Sequence, residues 1–136
     1  MTCLKGSCIC GSVTFEAKGK MRDVIGCHCV QCRKFSGHYT AATSTRPENI
    51  TIHDDKDLAW FRAEGNAERG FCRQCGSSLF WKPDSSDRVS IYVGCLDGDS
   101  GLKMTSHIFA DEKGDYYELN DGLDTHQTFG AKLELN

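Results

Sequence analysis

Proline, basic runs and long apolar stretches are scarce in this chain of 136 residues, which contains only two prolines. A membrane-spanning helix needs about 20 consecutive apolar residues, and no stretch approaches that length, so we expect no membrane partner. No cluster of lysine and arginine stands out and the formal net charge is -3, so we expect no nucleic-acid partner. Residues 1–11 lack the apolar segment of a secretory signal peptide, and we therefore expect a cytoplasmic protein.

The chain also lacks repeats, low-complexity tracts and linker-like segments, which predicts a single domain over residues 1–136. Its segments are short and bounded by Gly, Asp, Asn and Ser, a pattern typical of all-β folds. One short helix is predicted at 30–36. Strands are predicted at 12–18, 38–45, 50–53, 58–62, 79–81, 89–94 and 116–119.

Cysteine is the residue that the chain has in excess, with nine copies. In a reducing compartment such cysteines are metal ligands or reactive thiols more often than disulfides. The odd number also argues against a complete disulfide framework. Seven of the nine fall into three groups: Cys8 and Cys10; Cys27, Cys29 and Cys32; and Cys72 and Cys75.

The pair Cys72 and Cys75 gives the strongest metal signal. Two intervening residues let a tight turn aim both sulfurs at one ion, and Gly76 supplies the positive φ that such a turn often needs. A structural zinc needs four ligands, and Cys8 and Cys10 are candidates for the other two because side chains two residues apart in an extended chain share a face. A redox dithiol is the alternative, but the βαβ context of a thioredoxin-like site is lacking.

The group Cys27, Cys29 and Cys32 supplies three thiolates, one fewer than a closed zinc site. Three protein ligands and an open position are typical of a catalytic zinc. A fourth ligand would close the site, and spacing alone leaves the two cases open; the candidates for that ligand are His28, His38 and Cys95. An iron–sulfur cluster is disfavoured because no cysteine run has ferredoxin spacing. Two basic residues, Arg33 and Lys34, follow the group and are either ligands for an anionic substrate or a solvated face.

In combination, these motifs resemble the glutathione-dependent formaldehyde-activating enzymes, a family whose domain also occurs in centromere protein V. The likeness extends from residue 6 to residue 123. It is carried by 6–13 (GSCICGSV), 27–37 (CHCVQCRKFSG), 71–76 (FCRQCG), 94–97 (GCLD), 107–109 (HIF) and 121–123 (DGL).

The resemblance implies an all-β fold of packed antiparallel sheets, called a β-tent, organised around cysteine-bound zinc. It implies a structural zinc on one set of cysteines and a catalytic zinc on the other, which favours the open reading of the second site. The structural set is Cys8, Cys10, Cys72 and Cys75. The catalytic set is Cys27, Cys29 and Cys32.

The function implied by the resemblance is that of a zinc-dependent carbon–sulfur lyase. Such an enzyme adds a thiol of the glutathione type to a small aldehyde such as formaldehyde, or catalyses the reverse reaction. The expected partners are therefore a small-molecule thiol and an aldehyde, with Arg33 and Lys34 as ligands for a glutathione carboxylate. The alternative is a non-catalytic zinc-binding interaction module, which would need no cavity beside the second metal.

Overall fold

A computed structural model describes residues 3–129 and shows a mostly β-sheet protein with one short α-helix. The helix α1 covers Val30–Ser36. Three single-turn 3₁₀ segments lie at Pro47–Asn49, Val93–Cys95 and Ala110–Glu112. The strands are β1 (Cys3–Ser7), β2 (Thr14–Lys18), β3 (Val24–Cys27), β4 (Thr40–Thr45), β5 (Ile50–Ile52), β6 (Leu58–Arg62), β7 (Ala67–Cys72), β8 (Ser78–Pro83), β9 (Val89–Tyr92), β10 (Met104–Ile108) and β11 (Asp124–Thr125).

The strands form two sheets. The smaller sheet has three strands in the order β1-β2-β5, and the larger has eight in the order β11-β10-β3-β4-β9-β8-β7-β6. A single bridge between Gly6 and Leu96 connects β1 to the segment after β9. None of the described helices is long and apolar enough to cross a membrane.

The expectation of purely antiparallel sheets is wrong at one edge of the larger sheet. Strand β10 runs parallel to β3 on one side and parallel to β11 on the other. A parallel neighbour requires a long crossover connection, and the chain between β3 and β10 provides one because it builds five other strands of the same sheet on the way. Short local patterns cannot reveal such a pairing.

Alternation along the strands of the larger sheet separates a core face from a second face. Val89 and Ile91 of β9 are buried in the hydrophobic core between the sheets, together with Phe15 of β2. The intervening Ser90 and Tyr92 point to the other face, where they line a cavity. Because side chains alternate along a strand, one sheet supports both the packed core and the cavity.

Most predicted elements are confirmed, and the helix has the predicted bounds of 30–36. The strand predicted at 116–119 is wrong. There the carbonyl of Tyr117 accepts a hydrogen bond from Lys113 Nζ, and the Tyr117 hydroxyl contacts His28, so tertiary contacts replace strand pairing. Strands β1, β3, β7, β10 and β11 were not predicted, because each is short or carries charged, glycine and cysteine residues that break the alternation.

Gly6 provides a test of how the small sheet packs. It lies opposite Phe15 in the β1–β2 pair, and a Cβ at this position would meet the Phe15 ring at 2.1 Å. Since Phe15 is fully buried and cannot retreat, Gly6→Ala should lower the free energy of unfolding by about 1–3 kcal/mol. Chemical denaturation measures the loss.

The matched control is Gly94→Ala, because no heavy atom lies within 4 Å of a Cβ built there. Its denaturation midpoint should stay close to that of the wild type. Equal midpoints for the two variants would contradict the described packing of Phe15 over β1.

Candidate metal centres and the adjoining cavity

The first cysteine cluster joins a loop of the small sheet to a hairpin of the large sheet. Cys8 and Cys10 lie in the loop between β1 and β2, whereas Cys72 ends β7 and Cys75 lies in the turn to β8. Their four sulfur atoms lie within 4.8 Å of one another. The fold therefore brings together the two pairs that the sequence suggested as partners.

The distances suit a tetrahedral metal site. A zinc ion with Zn–S bonds of about 2.3 Å places its sulfurs roughly 3.8 Å apart. Here the Cys8 and Cys10 sulfurs are 3.6 Å apart, and those of Cys10 and Cys72 are 3.8 Å apart. Since a disulfide needs about 2.05 Å, the four residues fit a zinc ion and not a disulfide pair.

Local turns aim these sulfurs. The Cys72 carbonyl accepts from the amide of Gly76, which has a φ of +81°, as the sequence predicted for this turn. The loop of Cys8 and Cys10 differs from the expected extended chain, because the Gly11 amide closes a turn by donating to the Cys8 carbonyl. The cysteines share a site through this turn, not through strand alternation.

Two serine hydroxyls support the sulfurs. Ser12 Oγ lies 3.1 Å from Cys10 Sγ and 3.3 Å from Cys72 Sγ. Ser77 Oγ lies 3.2 Å from Cys75 Sγ, and this hydrogen bond, the largest of several, helps to lower the pKa of Cys75 to about 5. Hydroxyl donors of this kind favour the thiolate form, which is the form that binds a metal.

The second cluster is assembled from three kinds of backbone. Cys27 ends β3, Cys29 is the N-cap of α1, and Cys32 lies in its first turn. The Cys29 sulfur accepts a hydrogen bond from the Cys32 amide at 3.3 Å. The strand-to-helix junction thus brings the three sulfurs within 4.8 Å of one another, a spacing that also suits one metal ion.

The surroundings favour the thiolate form at Cys32 and disfavour it at Cys27. Hydrogen bonds from the Cys27 and Cys29 thiols lower the pKa of Cys32, and Thr40 and Arg69 add to the effect. The pKa of Cys27 is raised correspondingly, first by its contact with Cys29 and then by its contact with Cys32. One thiolate is therefore favoured from the outset, at the sulfur that faces a guanidinium.

Arg69 is that guanidinium, and only 5% of the residue is exposed. Its Nη2 lies 3.7 Å from Cys32 Sγ and 3.3 Å from Gln31 Oε1, while Nη1 donates to the Tyr92 hydroxyl at 2.8 Å. Three thiolates around a divalent cation carry a net negative charge. A buried arginine beside them offsets that charge and fixes the orientation of Cys32.

No fourth ligand from residues 3–129 approaches the second cluster. His38 contacts the Tyr116 hydroxyl, and Cys95 lines a separate shallow cavity beside Cys8. His28 is fully buried, but its ring points away from the sulfurs, towards Tyr117 and His107. The arrangement leaves a fourth position that the described chain does not fill.

His28 belongs to a chain of hydrogen-bonded side chains that lies on the side of the Cys27–Cys29 backbone away from the cavity. The Asp121 carboxylate lies 2.8 Å from His107 Nε2, and His107 Nδ1 lies 2.8 Å from His28 Nε2. When His107 donates through Nε2 to Asp121 and accepts at Nδ1 from His28, the Nδ1 of His28 accepts from the Tyr117 hydroxyl. Because burial lowers the pKa of His28 to about 4, the neutral form is the one present at pH 7.

A cavity of about 450 Å³ opens onto the second cluster. Its wall includes the three clustered cysteines and also Thr40, which pairs with Cys27 across the sheet. The arginines on its wall are Arg22, Arg69 and Arg88, and its apolar residues include Trp81, Ile108 and Phe109. A small molecule in this cavity can therefore touch both the sulfurs and cationic groups.

The structure does not bring Arg33 and Lys34 to this cavity. Lys34 is exposed on α1, and Arg33 lies on the side of Tyr117. Burial raises the pKa of the Tyr117 hydroxyl, and the nearby charge of Arg33 opposes that rise. Binding of a glutathione carboxylate by these two residues stays a prediction, without support from their placement.

Sequence reasoning missed Arg69, Arg22, Arg88 and Tyr92 as site residues. Arg69 and Cys32 are 37 positions apart, and Arg69 lies in a strand that was not predicted. The only available signal was Arg69 itself, a charged residue three positions before Cys72. The strand register that turns it towards the cavity is a property of the tertiary structure.

Together the fold and the two clusters define a mostly β-sheet protein equipped to hold metal ions on cysteine. The model of the glutathione-dependent formaldehyde-activating enzyme family matches residues 3–112. The chain therefore belongs to that family, as its cysteine motifs predicted.

Individual relatives are more distant. A Halomonas elongata protein named provisionally as a glutathione-dependent formaldehyde-activating enzyme is 27% identical over 126 residues, covering 85% of this chain and 80% of that protein. An uncharacterized lyase of Schizosaccharomyces pombe is 22% identical over 117 residues, covering 85% and 84%. A crystal structure of a Rhodobacter sphaeroides protein superimposes with a TM-score of 0.61 at 24% identity, covering 74% of this chain and 99% of that one. The last comparison supports the fold.

If both clusters bind zinc, the protein purified without chelator should contain between one and two zinc ions per chain. Cys72→Ser should unfold or strongly destabilise it, because a structural zinc contributes about 10 kcal/mol or more to folding. Cys29→Ser should remain folded and lose one zinc. Elemental analysis and thermal unfolding measure both effects.

The control is Cys3→Ser, since Cys3 is exposed and belongs to neither cluster. It should keep the metal content and the melting temperature of the wild type. Identical melting of the Cys72→Ser and Cys29→Ser proteins would contradict the division into a structural and a second, open site.

Arg69 should tune the second cluster. Removing its charge in Arg69→Gln leaves the negative charge of the thiolates uncompensated, and metal affinity at this cluster should fall by roughly 10- to 100-fold, as for other residues that support ligands. Competition with a chromogenic chelator measures the change. Arg62→Gln, at an exposed arginine paired with Asp84, serves as the control and should leave the affinity unchanged. An equal effect of the two variants would rule out a specific role for Arg69.

Proposed function

We propose that this protein is a zinc-dependent enzyme of the carbon–sulfur lyase type, which joins a glutathione-type thiol to a small aldehyde such as formaldehyde, or catalyses the reverse. The observation that carries the proposal is the cavity beside Cys27, Cys29 and Cys32, a cluster with no fourth ligand from residues 3–129. Family membership and the lyase name of one relative agree with this reaction class. The substrate pair comes from the family name.

The two clusters have different proposed roles. Cys8, Cys10, Cys72 and Cys75 would hold a structural zinc, because four sulfurs complete a tetrahedron and two of them are buried. Cys27, Cys29 and Cys32 would hold a zinc with one position open to the cavity. A zinc ion bound there would lower the pKa of a substrate thiol, which is about 8.5 for a free thiol, and so favour the thiolate.

The residues around the cavity can prepare such a reaction. Arg69 offsets the negative charge of the cysteine sulfurs and orients Cys32 and the Tyr92 hydroxyl. Burial raises the pKa of Tyr92, so this hydroxyl keeps its proton at neutral pH while its oxygen accepts from Arg69. Its O–H is then available to donate to the oxygen of an aldehyde in the cavity.

The chemistry balances with these two substrates. The thiol sulfur forms a bond to the aldehyde carbon as the carbonyl π bond breaks, and the carbonyl oxygen takes up a proton in place of the one that the thiol lost. The product is an S-hydroxymethyl thioether, and the reverse reaction returns thiol and aldehyde. No oxidant or reductant is needed. Ile108 and Phe109 contribute apolar surface to the wall of the cavity in which the two substrates would meet.

A non-catalytic interaction module is the rival function. Such a module would need its metals for folding alone, and it would have no use for a cavity that ends on an incomplete ligand set. The described cavity therefore favours the enzyme.

The activity test must detect a rate above that of the uncatalysed reaction, because the thiol and formaldehyde combine without an enzyme. Exchange NMR on the methylene protons of the adduct should show faster exchange between glutathione plus formaldehyde and S-hydroxymethylglutathione when the wild-type protein is added. Cys29→Ser, which keeps the first cluster, should return the rate to that of buffer. Equal rates in wild type, variant and buffer would reject this substrate pair.

A further inference from the structure

Two arginines at the end of the cavity away from the cysteines have no assigned role. Arg88 is only 6% exposed, and its Nη2 and Nε donate to the carbonyl and hydroxyl of Ser44 at 3.0 and 3.2 Å. The Nη2 of Arg22 donates to the carbonyl of Ala42 at 3.0 Å. Both side chains line the cavity. A guanidinium has five N–H donors, so these contacts leave donors of each arginine for a ligand.

Asp23 and Asp87 lie close enough to act on the charges of Arg22 and Arg88, but neither carboxylate is in direct contact with them. Within the part of the chain that the structure describes, neither Arg22 nor Arg88 forms an ion pair. Of the neighbouring acids, Asp87 is engaged by Arg46 at 2.7 Å and Asp23 is exposed. Burial, together with the positive charge of Arg88, lowers the pKa of Arg22 to about 10, and Asp23 opposes part of that shift. Arg88 is buried and Arg22 is half-buried, and two like charges in such a setting are stabilised by an anion placed between them.

Strand β4 gives the distance between the two ends of the cavity. Thr40 pairs with Cys27, and Ala42 and Ser44 follow it along the cavity wall. Their backbone carbonyls accept hydrogen bonds from Arg22 and Arg88. At about 3.3 Å per residue, Ala42 lies roughly 7 Å and Ser44 roughly 13 Å from Thr40. An anion between the arginines would therefore be about 10 Å from the sulfur cluster.

We propose that Arg22 and Arg88 form a carboxylate-binding subsite that selects thiols whose acidic group lies about one residue away from the sulfur. The proposal rests on the proposed function, because the sulfur of the same molecule would lie at the cysteine cluster. Free cysteine carries thiol and carboxylate on one residue, which spans only about 3.5 Å of backbone, and is too short. A tripeptide thiol such as glutathione, with its sulfur on the middle residue and a carboxylate at each end, has the necessary reach.

Binding without turnover tests the subsite directly. Isothermal titration in the absence of formaldehyde compares glutathione with its dimethyl ester, in which the thiol is intact and both carboxylates are neutral. Wild-type protein should bind glutathione at least tenfold more tightly than the ester, because charge-assisted hydrogen bonds to buried groups are strong. Arg88→Gln and Arg22→Gln should each lose most of that preference and keep the affinity for the ester.

Two separate arginine variants are used so that the test survives if one of them does not fold. Arg22 lies outside the strands, so Arg22→Gln leaves the contacts between Arg88 and Ser44 in place if Arg88→Gln proves unstable. Circular dichroism and metal content check each variant. Arg62→Gln is the matched control, since this arginine is exposed and lies away from the cavity wall. It should bind both ligands as the wild type does.

The outcomes separate the subsite from the reaction. Equal binding of glutathione and its ester by the wild type, no binding of either, or a loss of preference in Arg62→Gln would overturn the subsite. Acceleration of exchange for the ester as fast as for glutathione would also overturn it, while leaving the reaction in place. A preference that depends on Arg22 and Arg88 without any acceleration of exchange would support the subsite and reject the reaction.

Discussion

The close approach of four cysteine sulfurs from two different sheets is the constraint on which the rest of the structure depends. The loop of Cys8 and Cys10 belongs to the small sheet, and Cys72 and Cys75 belong to a hairpin of the large one. Four sulfurs within 4.8 Å cannot all be bare anions, because like charges at that distance repel strongly in a partly buried setting. They must share protons or a cation. A zinc ion would satisfy all four and join the sheets at the edge of the core.

Strand β7 connects the first cysteine cluster to the second. Its last residue, Cys72, is buried on the core side, while Arg69, three positions earlier, reaches Cys32 and Tyr92 in the cavity. An odd spacing on a strand places two side chains on opposite faces. Fixing the end of β7 through Cys72 therefore also fixes the guanidinium that balances the charge of the three-cysteine cluster.

Charged groups lie at both ends of the cavity. The three cysteine sulfurs, with Arg69 beside Cys32, occupy one end, and Arg22 and Arg88 approach from further along β4. On the opposite face of β3, the chain from Asp121 through His107 to His28 holds the backbone between Cys27 and Cys29 without entering the cavity. The sheet thus separates the groups that would meet a substrate from those that hold the ligand turn in place.

By itself the sequence determined the family, the mostly β character, the helix at Val30–Ser36 and the grouping of the seven clustered cysteines, because each depends on local spacing and turn chemistry. Gly76, for example, closes the Cys72 turn with the positive φ that the motif requires. The tertiary structure alone decided the parallel pairing of β10, the burial of Arg69 beside Cys32 and the presence of Arg22 and Arg88 on the cavity wall. These features depend on which strands become neighbours and in what register. Strand neighbours and register are set by the packing of the whole hydrophobic core, so a short stretch of sequence cannot reveal them.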